Sequence, residues 1–505
     1  MKHWLGIDIG TGGSRALLVR ADGSVACGVT APHDDILMQR PLWAEQRPEN
    51  WWDAARLAIR GVLAAARIGG GDIAGIGLSG QMHGLTLLDA SHEVIRPALI
   101  WCDQRSQEQV DWINAAAGED MVLEQTANPV LTGFTAPKLL WVREHDPASY
   151  ERVRKMLLPK DYIRHQLTGE FASEVSDASG TALFDVVGRR WAYPLVEKLG
   201  IDRSILPKVY ESVEVSGAIS ASAAAETGLA AGTPVVGGGG DQAASAVGNG
   251  IVETGLVSCT IGTSGVVFSH LDEAAYDPQG RVHTFCHAVP GKWHVMGVTQ
   301  GAGLSLQWFR NNLAADLAGA AEERRVEAYD LLTTEAAGIP AGSEGLIWLP
   351  YLMGERTPHL DAYARGGWVG MTAKHTRAHL VRSILEGVAY SLNDCLGIIE
   401  SLGARIAAVR ASGGGAKSPL WRAILAGVFG KPVATLQTQE GSAFGAALLA
   451  MVGTGEFASV EEACRAEIVE RRREEPDEDL AAAYREPYAL FRELYPALRG
   501  FFPRM

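Results

Sequence analysis

The sequence predicts an α/β protein of two related halves, each built on a glycine-punctuated sheet, with a ligand cleft between them. Three observations carry that prediction. Short β-rich runs end repeatedly in glycine clusters, which 58 glycines in 505 residues supply. One strand–turn–strand signature occurs twice, as LGIDIGTGGSRALL at residues 5–18 and VSCTIGTSGVVF at residues 257–268. Helix-compatible stretches follow several of these strands, the pattern expected of layered α/β architecture.

Residues 5–9 read as a compact strand, 10–14 as a turn, 16–20 as a second strand and 25–30 as a third, so close together that they form an antiparallel meander. Residues 49–66 are helical in periodicity, with Pro48 placed to start the helix. Strands are expected again at 73–79 and 85–88. Residues 234–236 run into four glycines and Asp241, then into a small-residue helix start at 242–247. A boundary near 248–256 separates halves 1–250 and 251–505. In the second half, the strand at 408–411 leads to the glycine loop 412–417 and a helix at 420–429. The charge run at 470–479, ERRREEPDED, reads as a solvated face, and the segment after it as a packing helix.

Composition excludes several classes. With 47% hydrophobic and 21% charged residues, the chain can bury large cores and is not disordered. Its 45 Lys+Arg against 59 Asp+Glu leave a net charge of −14, so no general attraction to nucleic acid or anionic membrane is expected. The six cysteines are scattered without a C-x-x-C pair, as in a reducing compartment. Asp8 interrupts any signal-peptide core and no membrane-length apolar run occurs, so a cytoplasmic protein is expected. The oligomeric state stays open, a homodimer included.

The usual phosphate motifs are missing. Lys417-Ser418 follows Ala416 and so fails the P-loop pattern, and no G-x-G-x-x-G follows a strand. The strongest local candidate is the run Asp8, Ile9, Gly10, Thr11, Gly12, Gly13, Ser14, Arg15. An aspartate ending a strand can hold Mg²⁺ through water, while turn amides, hydroxyls and Arg15 meet phosphate oxygens. An ordinary hairpin turn favours the same residues. The echo at Gly262, Thr263, Ser264 and Gly265 favours two turns gripping one polyphosphate. Asp241 after its glycines can accept a proton from an attacking alcohol or cap a helix. His83, within Gln81-Met82-His83, reads alone as a loop histidine. Trp101, Asp103 and Arg105 can line a polar sugar site or form a surface turn with an ion pair. The loop Ser412–Lys417 at a helix start suits phosphate.

Together these motifs resemble the FGGY family of carbohydrate kinases. The resemblance spans nearly the whole chain: GQMHG at 80–84, TGFTAPKLLW at 132–141, LLPKDY at 157–162, SDASGT at 176–181, GGGD at 238–241, IGTSG at 261–265, GERTPH at 354–359 and the stretch 366–386. It implies two actin-like, ribonuclease-H-like domains closing on ATP and a sugar, and most resembles the branch that phosphorylates D-xylulose at its 5-hydroxyl. Another pentulose or a polyol is the alternative; an actin-like ATP-binding protein without a sugar site is the alternative of a different class. Asp241 is implied as catalytic base and Asp8 as the Mg²⁺-linked acid, with Asp241 sharing that ion through water. Met82 and His83 would touch the ketose, where glycerol kinases carry an Arg-Glu pair, with Gln81, Trp101, Asp103 and Gln242 around it. Gln242 stands where many pentulose kinases have Asn. Thr11, Gly12, Arg15, Gly262 and Thr263 would contact phosphates, and Gly303, Gln307, Gly414, Gly415 and Lys417 the rest of the nucleotide.

Overall fold

A computed structural model describes residues 2–438 and 440–505. The first half centres on a mixed sheet of β1 (His3–Ile9), β2 (Gly13–Arg20), β3 (Val25–Pro32), β4 (Ile73–Gly80), β5 (Val215–Ala218) and β6 (Pro234–Val236). Their spatial order is β5-β6-β4-β1-β2-β3, with Gly239 and Gly240 pairing alongside the end of β4. The second sheet holds β7 (Gly255–Ile261), β8 (Gly265–Leu271), β9 (His283–Cys286), β10 (Trp293–Thr299), β11 (Ile406–Ser412), β12 (Val433–Leu436) and β13 (Glu470–Glu474). Its order is β9-β10-β8-β7-β11-β12-β13.

The two sheets repeat one order of pairing, although the outermost strand comes before its neighbour in the first half (β5 before β6) and after it in the second (β12 before β13). From β3 to β5 the pairings run antiparallel, antiparallel, parallel, parallel, antiparallel, and from β10 to β13 they run identically. The expected meander is therefore present in both halves, and β9 is an addition to the second. The charge run resolves into an edge strand over Glu470–Glu474 followed by a helix, because its backbone completes the ladder on β12 while its arginines stay in water.

Seven helices matter for the site: α1 (Pro48–Ala66), α2 (Asp241–Gly248), α3 (Gly303–Leu313), α4 (Arg377–Ser401), α5 (Pro419–Phe429), α6 (Gly441–Gly453) and α7 (Glu478–Leu498). α1 starts at its proline as expected and buries Trp51, Ala55, Ile59 and Val62 with Leu5, Ile7 and Ile9 of β1. α6 crosses over: although it belongs to the second half of the chain, it packs on β1 and β4. Gly6 and Gly77, side by side in register, make room; a Cβ on either would strike the α6 backbone at Ala443 or Ala446. α2 lies against α6 through Gly248 and Gly445 in the same way. The two connecting helices thus meet backbone to backbone. α7 buries Tyr484, Phe491 and Tyr495 in the second core.

Candidate active site

β1 and β4 run parallel, and their register puts Asp8 level with Ser79, while Gly239 lies level with Ser79 on the other side. Asp241, the first residue of α2, follows Gly240 directly and so emerges two strands across the sheet from Asp8, within reach of its charge. The helix cap itself is Gly240, so Asp241 is not the cap the sequence also allowed. Burial, then the nearby Asp8 charge, push the Asp241 carboxyl up to about 7 against hydrogen bonds from Gln242. Burial likewise raises Asp8, and its Oδ1 is a buried acceptor without a hydrogen-bond partner among the described residues.

The glycine strand is held from behind by residues that local sequence did not single out as functional. The Gly240 amide donates to Ser176 Oγ at 3.0 Å, and Ser176 donates in turn to the Glu174 carboxylate. Lys160 closes this buried cluster through Asp161 at 2.8 Å, Asp177 at 3.1 Å and Glu174 at 3.4 Å. Lys160, Asp161, Ser176 and Asp177 were signalled only by membership in the motifs at 157–162 and 176–181, and Glu174 by nothing.

Met82 lies under the same glycines; a Cβ on Gly240 would sit 2.9 Å from its Cγ. His83 takes a left-handed backbone (φ 67°), stacks on Phe134 at 4.8 Å, and places Nδ1 2.7 Å from the Gly180 carbonyl. Burial pulls its pKa down to about 3, so the ring is neutral. Since a carbonyl only accepts, Nδ1 carries the proton and donates, leaving Nε2 as a lone-pair acceptor. Lys138 fixes the loop by donating to the His83 carbonyl at 3.0 Å.

Gln81 and Trp101 hold the first turn. Trp101 Nε1 donates to Thr11 Oγ1 at 2.9 Å, and Gln81 Nε2 donates to Gln46 Oε1 at 3.0 Å. Gln46, which no local signal revealed, donates to the Thr11 carbonyl at 2.7 Å. The turn closes on itself from the Gly10 amide to the Gly13 carbonyl at 3.0 Å, with Gly12 exposed at its tip.

Two expectations are corrected. Asp103 does not face a sugar: it is fully buried, receives both Nε and Nη2 of Arg105 and accepts the Ala44 amide at 2.7 Å. Arg105 is sandwiched on Trp43, 3.7 Å from the ring centroid, so this is a buried ion pair. Arg15 does not point to an open phosphate position. It forms a two-point ion pair with Glu440 at 2.7 and 2.8 Å, and donates to Thr30. Glu440 immediately precedes α6, so the pair links the two halves.

On the other side of the cleft, Gly262, Thr263, Gly303, Gln307, Gly414, Gly415 and Lys417 all line one cavity of about 530 Å³. The second turn is pinned to α3, whose Gly303 and Leu304 amides donate to the Gly262 and Thr263 carbonyls at 2.8 and 3.1 Å. Tyr329 and Trp421 add aromatic wall. Among the described residues no cluster of three metal-ligating side chains occurs, and no helix is long and apolar enough to cross a membrane.

A duplicated sheet, paired glycine turns and a carboxylate pair at the strand ends define a two-domain phosphotransferase of the actin-like fold. Family profiles make it specific: the N-terminal domain of the FGGY family of carbohydrate kinases matches residues 3–248 and the C-terminal domain residues 257–454. The chain belongs to the FGGY family of carbohydrate kinases, whose substrates are a sugar and ATP. It is 37% identical to a xylulose kinase of Bacillus subtilis (strain 168), covering 98% of this chain and 97% of that protein. It is 38% identical to a xylulose kinase of Escherichia coli (strain K12), covering 98% and 99%. The solved xylulose kinase from Rhodospirillum rubrum superposes with a TM-score of 0.92 at 33% identity, covering 99% and 100%.

Proposed function

We propose that this chain phosphorylates D-xylulose at its 5-hydroxyl, using ATP and giving D-xylulose 5-phosphate and ADP. The observation that carries the reading is the convergence at the head of α2. A carboxyl poised near pH 7 there feels the charge of Asp8 two strands away, Met82 packs against Gly240, and the neighbouring His83 ring is held on Gly180. Its identity to two xylulose kinases favours this ketose over other pentuloses.

Asp241 accepts the hydroxyl proton as the sugar oxygen attacks the γ-phosphorus and the bond to ADP breaks. A carboxyl held near 7 is a better acceptor than an ordinary aspartate while still half ionised at neutral pH. His83 Nε2 accepts a sugar O–H, Met82 supplies the apolar wall, and Gln81, Gln242 and Trp101 border the sugar. Thr11, Gly12, Gly262 and Thr263 present amides and hydroxyls to phosphate, charge stabilisation of the kind phosphoryl transfer needs. Gly303, Gln307, Gly414, Gly415 and Lys417 hold the nucleotide. The unpartnered Asp8 Oδ1 fits a hydrated Mg²⁺, which Asp8 and Asp241 would hold through water and which, when bound, offsets charge on the phosphate oxygens. Residues 1–250 thereby serve the sugar and the phosphates and 251–505 the nucleotide. The six unpaired cysteines accord with a cytoplasmic setting.

The test is ADP release with D-xylulose, L-xylulose, D-ribulose, L-ribulose, D-arabitol, xylitol and glycerol. The highest kcat/KM is expected with D-xylulose. A higher value with another sugar reassigns the substrate, and no stimulation by any of them overturns the reading.

A further inference from the structure

A second cavity, of about 640 Å³, lies across the Gly413–Gly415 loop from the nucleotide cavity, between the connecting helices and the far edge of the second sheet. Ile261 lines the nucleotide cavity while its neighbour Thr260 lines this one, as strand alternation requires of two opposite faces. In a chain of net charge −14, five cations line it: Arg410, Arg422, Arg471, Arg472 and Lys417, the last of which, with Gly414, also lines the nucleotide cavity.

Two of the five have structural partners. Arg422 pairs with Glu474 at 3.0 Å and donates to the Ala416 and Lys417 carbonyls. Arg410 reaches the Asn249 and Gly250 carbonyls at the end of α2 and stands 3.5 Å from Glu470. Lys417, Arg471 and Arg472 have no carboxylate within 4.0 Å among the described residues. The cavity therefore keeps an excess of positive charge after its own acids are counted.

Backbone geometry brings two of these exposed arginines to the same cavity. Consecutive residues of a strand point to opposite faces, yet Arg471 and Arg472 line the same cavity. The register explains it: Thr435 faces Arg472 and Leu436 faces Glu470, so Arg471 is the extra residue of a β-bulge. Bulges redirect side chains at sheet edges. Opposite the arginines, the Thr260 and Ser412 hydroxyls share a hydrogen bond at 2.8 Å, and Ser245 and Asn249 of α2 complete a polar wall.

We propose that this cavity is a second anion site, separate from the nucleotide, that takes a small phosphate-bearing molecule between the bulged arginines and the Thr260–Ser412 hydroxyls. Binding there is salt-sensitive, as expected of a partly open cationic site. The site goes beyond the kinase reading and does not depend on it.

The test is calorimetric titration of pyrophosphate into the full chain, free and saturated with ADP, after the ADP stoichiometry has been measured on its own. Pyrophosphate is expected to bind ADP-saturated enzyme at one site. Arg471→Ser combined with Arg472→Ser is expected to weaken it about tenfold or more, as loss of charge-assisted contacts would. The double lysine variant should retain binding within about threefold, since the charges remain. ADP affinity, thermal midpoint and kcat should be unchanged in both. Pyrophosphate displaced by ADP, or bound equally well by the serine variant, overturns the proposal. Failure of ADP itself to bind counts against the kinase reading alone, because the free-enzyme arm still reads the second site.

Discussion

β1 and β7 are the same strand made twice, and residue by residue they diverge at the position that matters. Asp8, next to last in β1, stands level with Ser79 of β4; Thr260, next to last in β7, stands level with Ser412 of β11. Each is followed by Ile-Gly-Thr and a tight turn, one residue longer in the first half, where Ile9 pairs with Ser14, than in the second, where Ile261 pairs with Gly265. The loop after β4 reads Gln81-Met82-His83, dense with side chains, and the loop after β11 reads Gly413-Gly414-Gly415. One backbone plan thus delivers reactive groups in the first half and bare amides in the second. A sugar must be gripped by its hydroxyls and relieved of a proton; a polyphosphate needs mainly donors and room. The fold supplies positions, and the side chains placed on them divide the labour.

The sharpest way to break that contrast is to remove the carboxylate that has no counterpart in the second half. Asp241→Asn keeps size and most hydrogen bonds but cannot accept the proton, so kcat is expected to fall roughly 10²–10⁴-fold with ADP binding intact. A near-normal kcat would remove Asp241 as base. Exchanging the paired positions is the next most telling experiment. Asp8→Asn should lower turnover by roughly 10²-fold or more while sugar affinity without nucleotide is kept, and Thr260→Val should leave kcat within about threefold. Equal losses in the two variants would mean that the halves are not specialised as described.

His83→Ala probes the side-chain-rich loop. Loss of one acceptor to a sugar hydroxyl should lower kcat/KM for D-xylulose by about tenfold or more; an unchanged value would move the sugar elsewhere.

The pH profile sharpens the same point. With Asp241 pushed up to about 7 and His83 pulled down to about 3, kcat/KM should climb as pH rises toward 7 and level off above it, on one ionisation. Stability responds in the opposite sense. The folded state holds the Asp241 proton that the unfolded chain releases near pH 4, so this group's contribution falls as pH rises from about 4 to 7. Asp241→Asn should therefore be at least as stable as the parent at pH 8, with the gap closing at pH 5; a variant clearly less stable at pH 8 would argue against the raised carboxyl. The smallest effect is expected for Glu440→Gln, which breaks a half-exposed pair and should cost about 0.2–1 kcal/mol in thermal or urea unfolding; a loss several times larger would make the Arg15 link a structural clamp.

Local chemistry alone determined a good deal of this protein. The meander, the helix starting at Pro48 and the duplication were legible because glycine, proline and alternating apolar residues constrain the backbone within a few positions, and the same turns singled out Asp8 and Asp241 as candidates, whereas Gly303 and Gln307 were named by the family resemblance alone. Only the tertiary structure decided the roles of Asp103 and Arg15. Each sits in a stretch compatible with ligand contact, and each is claimed by a partner supplied by the fold: Arg105 locked between Trp43 and Trp141, and Glu440 from 425 residues away. The same holds for Gln46, Ser176 and the bulge that turns Arg471 toward Arg472, none of which has a local signature. Propensity acts between neighbours in the chain, whereas the hydrogen bonds and charge pairs that assign a polar side chain its task depend on distances that exist only after the sheets, the crossing helix α6 and the loops have packed together.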